Sequence, residues 1–239
     1  MNVTEFDTNM RALFGASEPW DADGIQIDCG NDLKKALVSL DCTGGAVVKA
    51  ARSGADIIVT HHPLIFRPLA SVSKGDSVGG RVMAACRAGI SVVSYHTCLD
   101  IAPGGVNDCL CRALGVNGTY AFLPFGRLGS IEKTLSFAEF VQKSENALGV
   151  KAQNTVDCGR PVRRVAVVSG SGKDEVRDAY NAGADTYVTG EVSHAAMIDC
   201  REYGINLVCL THFATENVVL PFLAEKVKQF VPEVELYGF

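Results

Sequence analysis

Every histidine of this 239-residue chain lies where a strand is expected to end: His61 and His62, His96, His194 and His212. In open parallel sheets, ligands bind beyond the carboxyl ends of the strands. Acids accompany these histidines. The segment His96-x3-Asp100 closes one expected strand, and His212-x3-Glu216 closes its counterpart in the second half. Neutral imidazole with carboxylate is the ligand set of Zn, Mn, Fe, Co or Ni, in contrast to the thiolate sets of structural zinc. Three histidines with two or more carboxylates suffice for two ions, one acid bridging. The ligand candidates are therefore His61, His62, Asp100, His212 and Glu216. His96 and Glu191 are the candidate catalytic residues: either ligates or fixes an imidazole tautomer, and a protonated His96 is a candidate general acid. His194, three residues beyond Glu191, belongs to the following helix near the rim. Singly, any of these histidines would pass as a loop cap; five at strand ends beside acids point to metal.

The elements that must position them alternate. Residues 36–40, 56–60 and 90–95 read as buried strands, separated by helices over 45–52 and 78–87. Alternation of this kind predicts βαβ units around a mainly parallel sheet. The second half repeats the plan, with strands over 164–169 and 183–189 and a helix over about 173–182. Gly183-Ala-Asp-Thr-Tyr-Val-Thr189 matches Gly54-Ala-Asp-Ile-Ile-Val-Thr60 at five of seven positions, and Cys200-Arg-Glu-Tyr-Gly-Ile205 echoes Cys86-Arg-Ala-Gly-Ile90. The fold predicted is α/β: two similar α/β domains from a tandem duplication, with mainly parallel sheets flanked by helices and a metal site in the cleft between them. The halves are 1–125 and 126–239, and the last helix, about 217–230, packs back onto the first. Residues 118–129 read as a crossover segment. Residues 134–148 read as an amphipathic helix that buries Leu135, Ala138, Val141 and Leu148.

Composition excludes other classes. With 47% apolar residues the chain can bury a core, and disorder is ruled out. The net charge is −5 and the densest basic cluster is Arg160, Arg163 and Arg164, too small a face for a nucleic-acid backbone. No apolar run reaches the length of a membrane span. The first ten residues hold two acids and no Lys or Arg, which does not suit a secretory leader. Nine cysteines, an odd number with no CxxC pair, suit a reducing cytoplasm. Cys98 sits between His96 and Asp100, where packing is the expected role. The glycines of Val168-Ser-Gly-Ser-Gly-Lys173 follow a strand, but they match neither a Rossmann fingerprint nor a P-loop.

The chain resembles the NIF-three-like family, also labelled GTP cyclohydrolase I type 2 homologues. The resemblance rests on Trp20-Asp21 with Gly24-Ile25-Gln26, Ala55-Asp-Ile-Ile-Val-Thr-His-His-Pro63, and His96-Thr97-x-Leu99-Asp100 with Pro103-Gly-Gly-Val-Asn-Asp108. It continues through Thr189-Gly190-Glu191 to His212-Phe213-Ala-Thr215-Glu216. It implies two similar α/β domains, a dinuclear metal site in the cleft and a toroidal homohexamer. Carried over, the metal ligands fall on His61, His62, Asp100, His212 and Glu216, with Glu216 bridging, and His96 lies near the metals. Ala22 stands where Asn usually follows the Asp, Cys98 where a polar residue is common, and Thr211 where Gly normally precedes the His. The domain that longer members insert between the halves is absent.

The function expected is therefore that of a dinuclear metal-binding protein holding two divalent ions (Zn, Fe, Mn, Co or Ni). It would act as a hydrolase that uses a metal-activated water on a small molecule or nucleotide. Ring opening of GTP is implied by the family label alone. The contrasting expectation is a metal-binding or regulatory adaptor protein without turnover.

Overall fold

A computed structural model describes residues 1–238 of the chain. It holds two compact units: Met1–Ala102 with the described part of 220–239, and Pro103–Val219. The break expected at 125/126 falls instead inside a β-hairpin of the second unit.

The first unit opens with α1 (Val3–Phe14), β1 (Gly24–Ile27), β2 (Lys35–Ser39) and α2 (Gly44–Ser53). It continues with β3 (Ile57–Thr60), α3 (Ser77–Ala88), β4 (Ser91–Ser94) and α4 (Thr97–Ile101). The second contains α5 (Val106–Leu114), β5 (Val116–Leu123), β6 (Gly126–Leu135), α6 (Phe137–Leu148) and β7 (Asn154–Val156). These precede β8 (Val162–Ser171), α7 (Val176–Asn181), β9 (Thr186–Glu191), α8 (His194–Tyr203), β10 (Asn206–Cys209) and α9 (His212–Asn217). The chain then returns to the first unit as α10 (Leu220–Val227) and β11 (Glu233–Tyr237). The last helix expected over about 217–230 is α10, shorter at both ends, and α9 precedes it as a separate helix. Pro221 offers no N–H to the carbonyl of Asn217, which prevents the two from running together.

The first sheet has the order β1-β4-β3-β2-β11 and is parallel except for β1. Leu37, Ile58 and Val92 pack with Ala46, Val47 and Ala50 of α2 and Ala85 of α3. Neighbouring residues such as Val38, Val59 and Val93 point the other way, as the pleat requires, and are buried too. On that side α1 and α10 contribute Phe14 and Phe222, whose rings meet, while Phe14 also stands edge-on to Tyr95. Sandwiching a sheet on both faces accounts for the unbroken apolar strands legible in the sequence.

The second sheet, β5-β6-β8-β9-β10-β7, is mixed: β8, β9 and β10 are parallel, and β5, β6 and β7 antiparallel. The crossover expected over 118–129 is the β5–β6 hairpin, which turns at Pro124-Phe125. Successive residues of β8 serve opposite cores, Val165 and Val167 with α5 and α6, Ala166 and Val168 with α7 and α8. α6 starts after its N-cap Ser136 and buries Phe140 and Ser144 fully; Ala138, expected inward, is exposed.

The two units share a plan. Each has three parallel strands joined by two helices, with an antiparallel edge strand beside the third. The repeated Gly-Ala-Asp has a physical task in both: Asp56 accepts from the amides of Lys34 and Lys35, and Asp185 from those of Arg163 and Arg164, fastening the start of the neighbouring strand. The recurrence extends to a feature the sequence comparison passed over. Asp28-Cys29-Gly30 and Asp157-Cys158-Gly159 form the same turn, the Gly amide 2.8 Å from the Asp carboxylate in each. Among the described residues, no helix is long and apolar enough to cross a membrane.

Arg127 of β6 is 6% exposed, and its Nε donates to Asp108 of α5 at 2.8 Å. Arg127→Met leaves that carboxylate without its cation and should cost about 3 kcal/mol in urea unfolding. The Asp108→Ala/Arg127→Met double variant should lose less than the sum of the singles.

Candidate metal centre

In the first unit, β3 ends at Thr60, whose hydroxyl donates to the carbonyl of His62 at 2.8 Å. The His62 amide donates to Leu40 O at 3.0 Å. This tight exit puts His61 and His62 side by side at the strand end. His61 is fully buried, with Nδ1 3.0 Å from the carbonyl of Tyr95. A carbonyl only accepts, so Nδ1 carries the hydrogen and Nε2 keeps the lone pair. His62 Nδ1 lies 2.9 Å from Asp41 Oδ1, and His96 Nδ1 lies 2.9 Å from Asp21 Oδ1. The same reasoning puts a hydrogen on Nδ1 of all three rings. Their centroids are 4.8 to 5.6 Å apart, and one nitrogen of each lies within 4.8 Å of the others. Asp100 joins from α4, with Oδ1 3.8 Å from His61 Nε2.

His96 stands at the N-terminus of α4 and does not cap it with its own side chain. The segment before β1 does so: Asp21 accepts from the Thr97 amide at 2.9 Å, and Asp23 from the amides of His96 and Cys98. Burial opposes the charge on Asp21, but the bonds from His96 and Thr97 outweigh it and hold the carboxyl well below the usual carboxylate range. Cys98 is 1% exposed and burial, then Asp23, push its thiol far up, so it packs behind the helix as expected.

In the second unit, Thr211 caps α9 by accepting from the Ala214 amide at 2.9 Å, a role the Gly usual at that position lacks the hydroxyl to fill. His212 and Glu216 then fall on one face of the helix, Nε2 to Oε2 3.0 Å, while His212 Nδ1 lies 3.2 Å from Glu191 Oε1. Glu216 is 4% exposed, and a carboxylate so far out of water is stabilised by a cation or by donors. Two glycines make room for it. Gly170, at the end of β8 with φ +59°, lies so close that a Cβ there would run into Glu216 Oε1 and stand 3.2 Å from His212 Nε2. A Cβ on Gly190 would stand 2.5 Å from Thr215 Oγ1 and 2.8 Å from His212 Cα. The donors, imidazole nitrogen and carboxylate oxygen in a tightly cleared space, fit a borderline divalent ion.

The glycine-rich segment after residue 168 is committed to this packing. The Gly170 and Gly172 amides donate to Thr215 Oγ1 and Thr189 Oγ1, each at 3.0 Å, so neither faces an anion. His194 opens α8 and is exposed, and no ligating cluster among the described residues includes it. Sequence reasoning named His61, His62, His96 and Asp100 in one unit and Glu191, His212 and Glu216 in the other, and each set comes together. It missed Asp41 and Asp23, and it had Asp21 only through the family resemblance.

Gly170→Ala should displace Glu216 and abolish metal uptake measured by calorimetry. Gly149→Ala, at a similar φ of +67° with open space around it, should cost only about 1 kcal/mol of backbone strain. A separate expectation concerns acid. Asp21, with its folded value depressed, contributes its full stability above its unfolded pKa of about 3.9, and that contribution is lost as pH falls toward the folded value. Urea midpoints measured from pH 5 downward should fall less steeply in Asp21→Asn than in the wild type.

Comparison with known proteins agrees with this architecture. The family model described as Duf34/NIF3 (NGG1p interacting factor 3) matches residues 1–238. A Clostridium perfringens protein named GTP cyclohydrolase 1 type 2 homolog is 32% identical over 222 residues, covering 89% of this chain and 85% of its own. Among solved structures, a Bacillus cereus protein related to NIF3 superposes with a TM-score of 0.89 at 20% identity, covering 100% of this chain and 97% of that one. A Staphylococcus aureus hypothetical protein gives 0.91 at 22% identity, with the same coverage. At such identities these two speak for the fold. From end to end, the chain belongs to the Duf34/NIF3 family.

Proposed function

We propose that this protein is a dinuclear metal-dependent hydrolase. The observation that carries the reading is the anchoring of Nδ1 in His61 and His62, which makes Nε2 the nitrogen each would offer to a metal, with a nitrogen of His96 within 4.8 Å. Two divalent ions, from the set Zn, Fe, Mn, Co and Ni, would be held by His61, His62, Asp100, His212 and Glu216, Glu216 bridging. Bound there, such ions supply Lewis acidity and an activated water. The chain's own residues do the rest: His96, one-fifth exposed at its side chain, delivers a proton to a leaving group, and Glu191 orients His212. The substrate is a small molecule or nucleotide. The name of the Clostridium relative adds ring-opening hydrolysis of GTP as one candidate reaction.

The assembly proposed is a toroidal homohexamer of chains that each arose by tandem duplication, working in the cytoplasm. The recurring plan of the two units supports the duplication, and nine free cysteines support the cytoplasm; the hexamer follows from the family resemblance.

Elemental analysis after reconstitution should approach two equivalents per chain. Glu216→Gln should lose both ions, while His61→Ala or His62→Ala weakens mainly one. Rate and metal content, measured together against a panel of phosphoesters, nucleotides, cyclic amides and small peptides, should rise from acid toward neutral pH, because ligating imidazoles must be neutral and their ordinary pKa is about 6.5. His96→Gln should remove the alkaline limb of a bell-shaped profile and leave metal content intact. Full activity in metal-free protein overturns the reading. Two tightly bound ions with no turnover on any substrate point to an adaptor.

A further inference from the structure

We propose that Asp41 is a positioning residue: it holds His62 in the Nδ1–H tautomer and so makes Nε2 the nitrogen that would ligate the ion. The proposal rests on the metal reading above and adds to it a residue that no motif singled out.

Asp41 lies just beyond the end of β2, the strand beside the one that delivers His61 and His62. Its backbone is fastened on both sides. The Asp41 carbonyl accepts from Ser39 Oγ at 2.9 Å and from the Thr43 amide at 3.0 Å. The adjoining Leu40 carbonyl accepts from the His62 amide at 3.0 Å. Asp41 Oδ1 and His62 Nδ1 are thus brought to 2.9 Å by two rigid strand ends. An ionised carboxylate only accepts, so the proton must sit on Nδ1. It also makes the opposite nitrogen a stronger donor to a metal.

The three acceptors differ in what they can be tested for. The partner of His61 is the main-chain carbonyl of Tyr95, which substitution cannot remove. Asp21, with no exposed side-chain surface, also caps α4 through Thr97, so its loss would unsettle the helix as well. Asp41 keeps about a third of its side chain exposed. It is therefore the carboxylate whose removal reports on imidazole orientation.

The experiment uses the full chain. Affinity for Co(II) and Zn(II) is measured by competition with a chromophoric chelator for wild type, Asp41→Ala and Asp41→Asn. Ring-nitrogen tautomers of the metal-free protein are read by long-range 15N NMR, with His62 assigned by its loss in His62→Gln. The wild type should show hydrogen on Nδ1 of His62. Asp41→Ala should bind roughly 10- to 100-fold more weakly and show a mixture of tautomers, with its urea midpoint unchanged. Asp41→Asn, whose amide oxygen still accepts, should recover part of the affinity. Equal affinity in wild type and Asp41→Ala, or hydrogen on Nε2 of wild-type His62, overturns the proposal. Absence of any metal binding by the wild type overturns the metal reading instead, and the tautomer spectra then judge Asp41 alone. If Asp41→Ala does not fold, the affinity of Asp41→Asn and the wild-type spectrum decide between the same two outcomes.

Discussion

An imidazole binds a cation through one nitrogen only, and the nitrogen that carries hydrogen cannot be it. Which nitrogen each ring offers therefore depends on where its hydrogen is held. His61, His62, His96 and His212 each have Nδ1 opposite an acceptor, respectively a carbonyl and the carboxylates of Asp41, Asp21 and Glu191. Three of these acceptors are acids, which lends the rings negative charge and favours the bound cation. Each acceptor in turn needs a rigid mount. Strand ends supply it: Tyr95 follows β4, Asp41 follows β2, and Glu191 closes β9. The sheets are sandwiched between helices so that these ends do not move, and the long apolar strands are the cost of that rigidity.

Packing around Glu216 obeys the same constraint from the other side. A buried carboxylate beside an imidazole needs the neighbouring backbone to come close without side chains intervening. Gly170 and Gly190 provide that approach, and the hydroxyls of Thr215 and Thr189 take up the amides that this close approach buries. Asn107 extends the support, its Oδ1 accepting from the Ser169 amide at 2.9 Å. This residue belongs to the Pro-Gly-Gly-Val-Asn-Asp motif, whose Asp108 pairs with buried Arg127. That motif thus serves the mount of the second unit.

The parts of the fold legible in the sequence are those that burial on both faces forces into apolar runs: β2, β3, β4, β8 and β9. What escaped was short or exposed. β1 and β7 are as short as β3 and β4 or shorter but only partly buried, so no unbroken apolar run marks them. β5 is a largely exposed edge strand interrupted by Asn117 and Gly118, so its hairpin read as a loop. Among the site residues, the histidines announced themselves because their type is rare and strand ends are recognisable. The acids that orient them did not. Asp41 precedes His62 by 21 residues and Asp21 precedes His96 by 75, so no local spacing links them. Only the pairing of strands brings them together.

The two units place different chemistry on one plan. The Val-Thr that ends β3 recurs within β9, and the next two residues are His61 and His62 in one, Gly190 and Glu191 in the other. At the second of these positions, the first unit has His62, its Nδ1 on Asp41, while the other turns a carboxylate toward His212 Nδ1. At the first, His61 fills a fully buried place, whereas any side chain on Gly190 would collide with Thr215 and His212. A His-His copy in the second unit would therefore have to displace α9, the helix that carries Glu216. One half supplies adjacent imidazoles from a strand end and the other an imidazole and a carboxylate from a single helical turn.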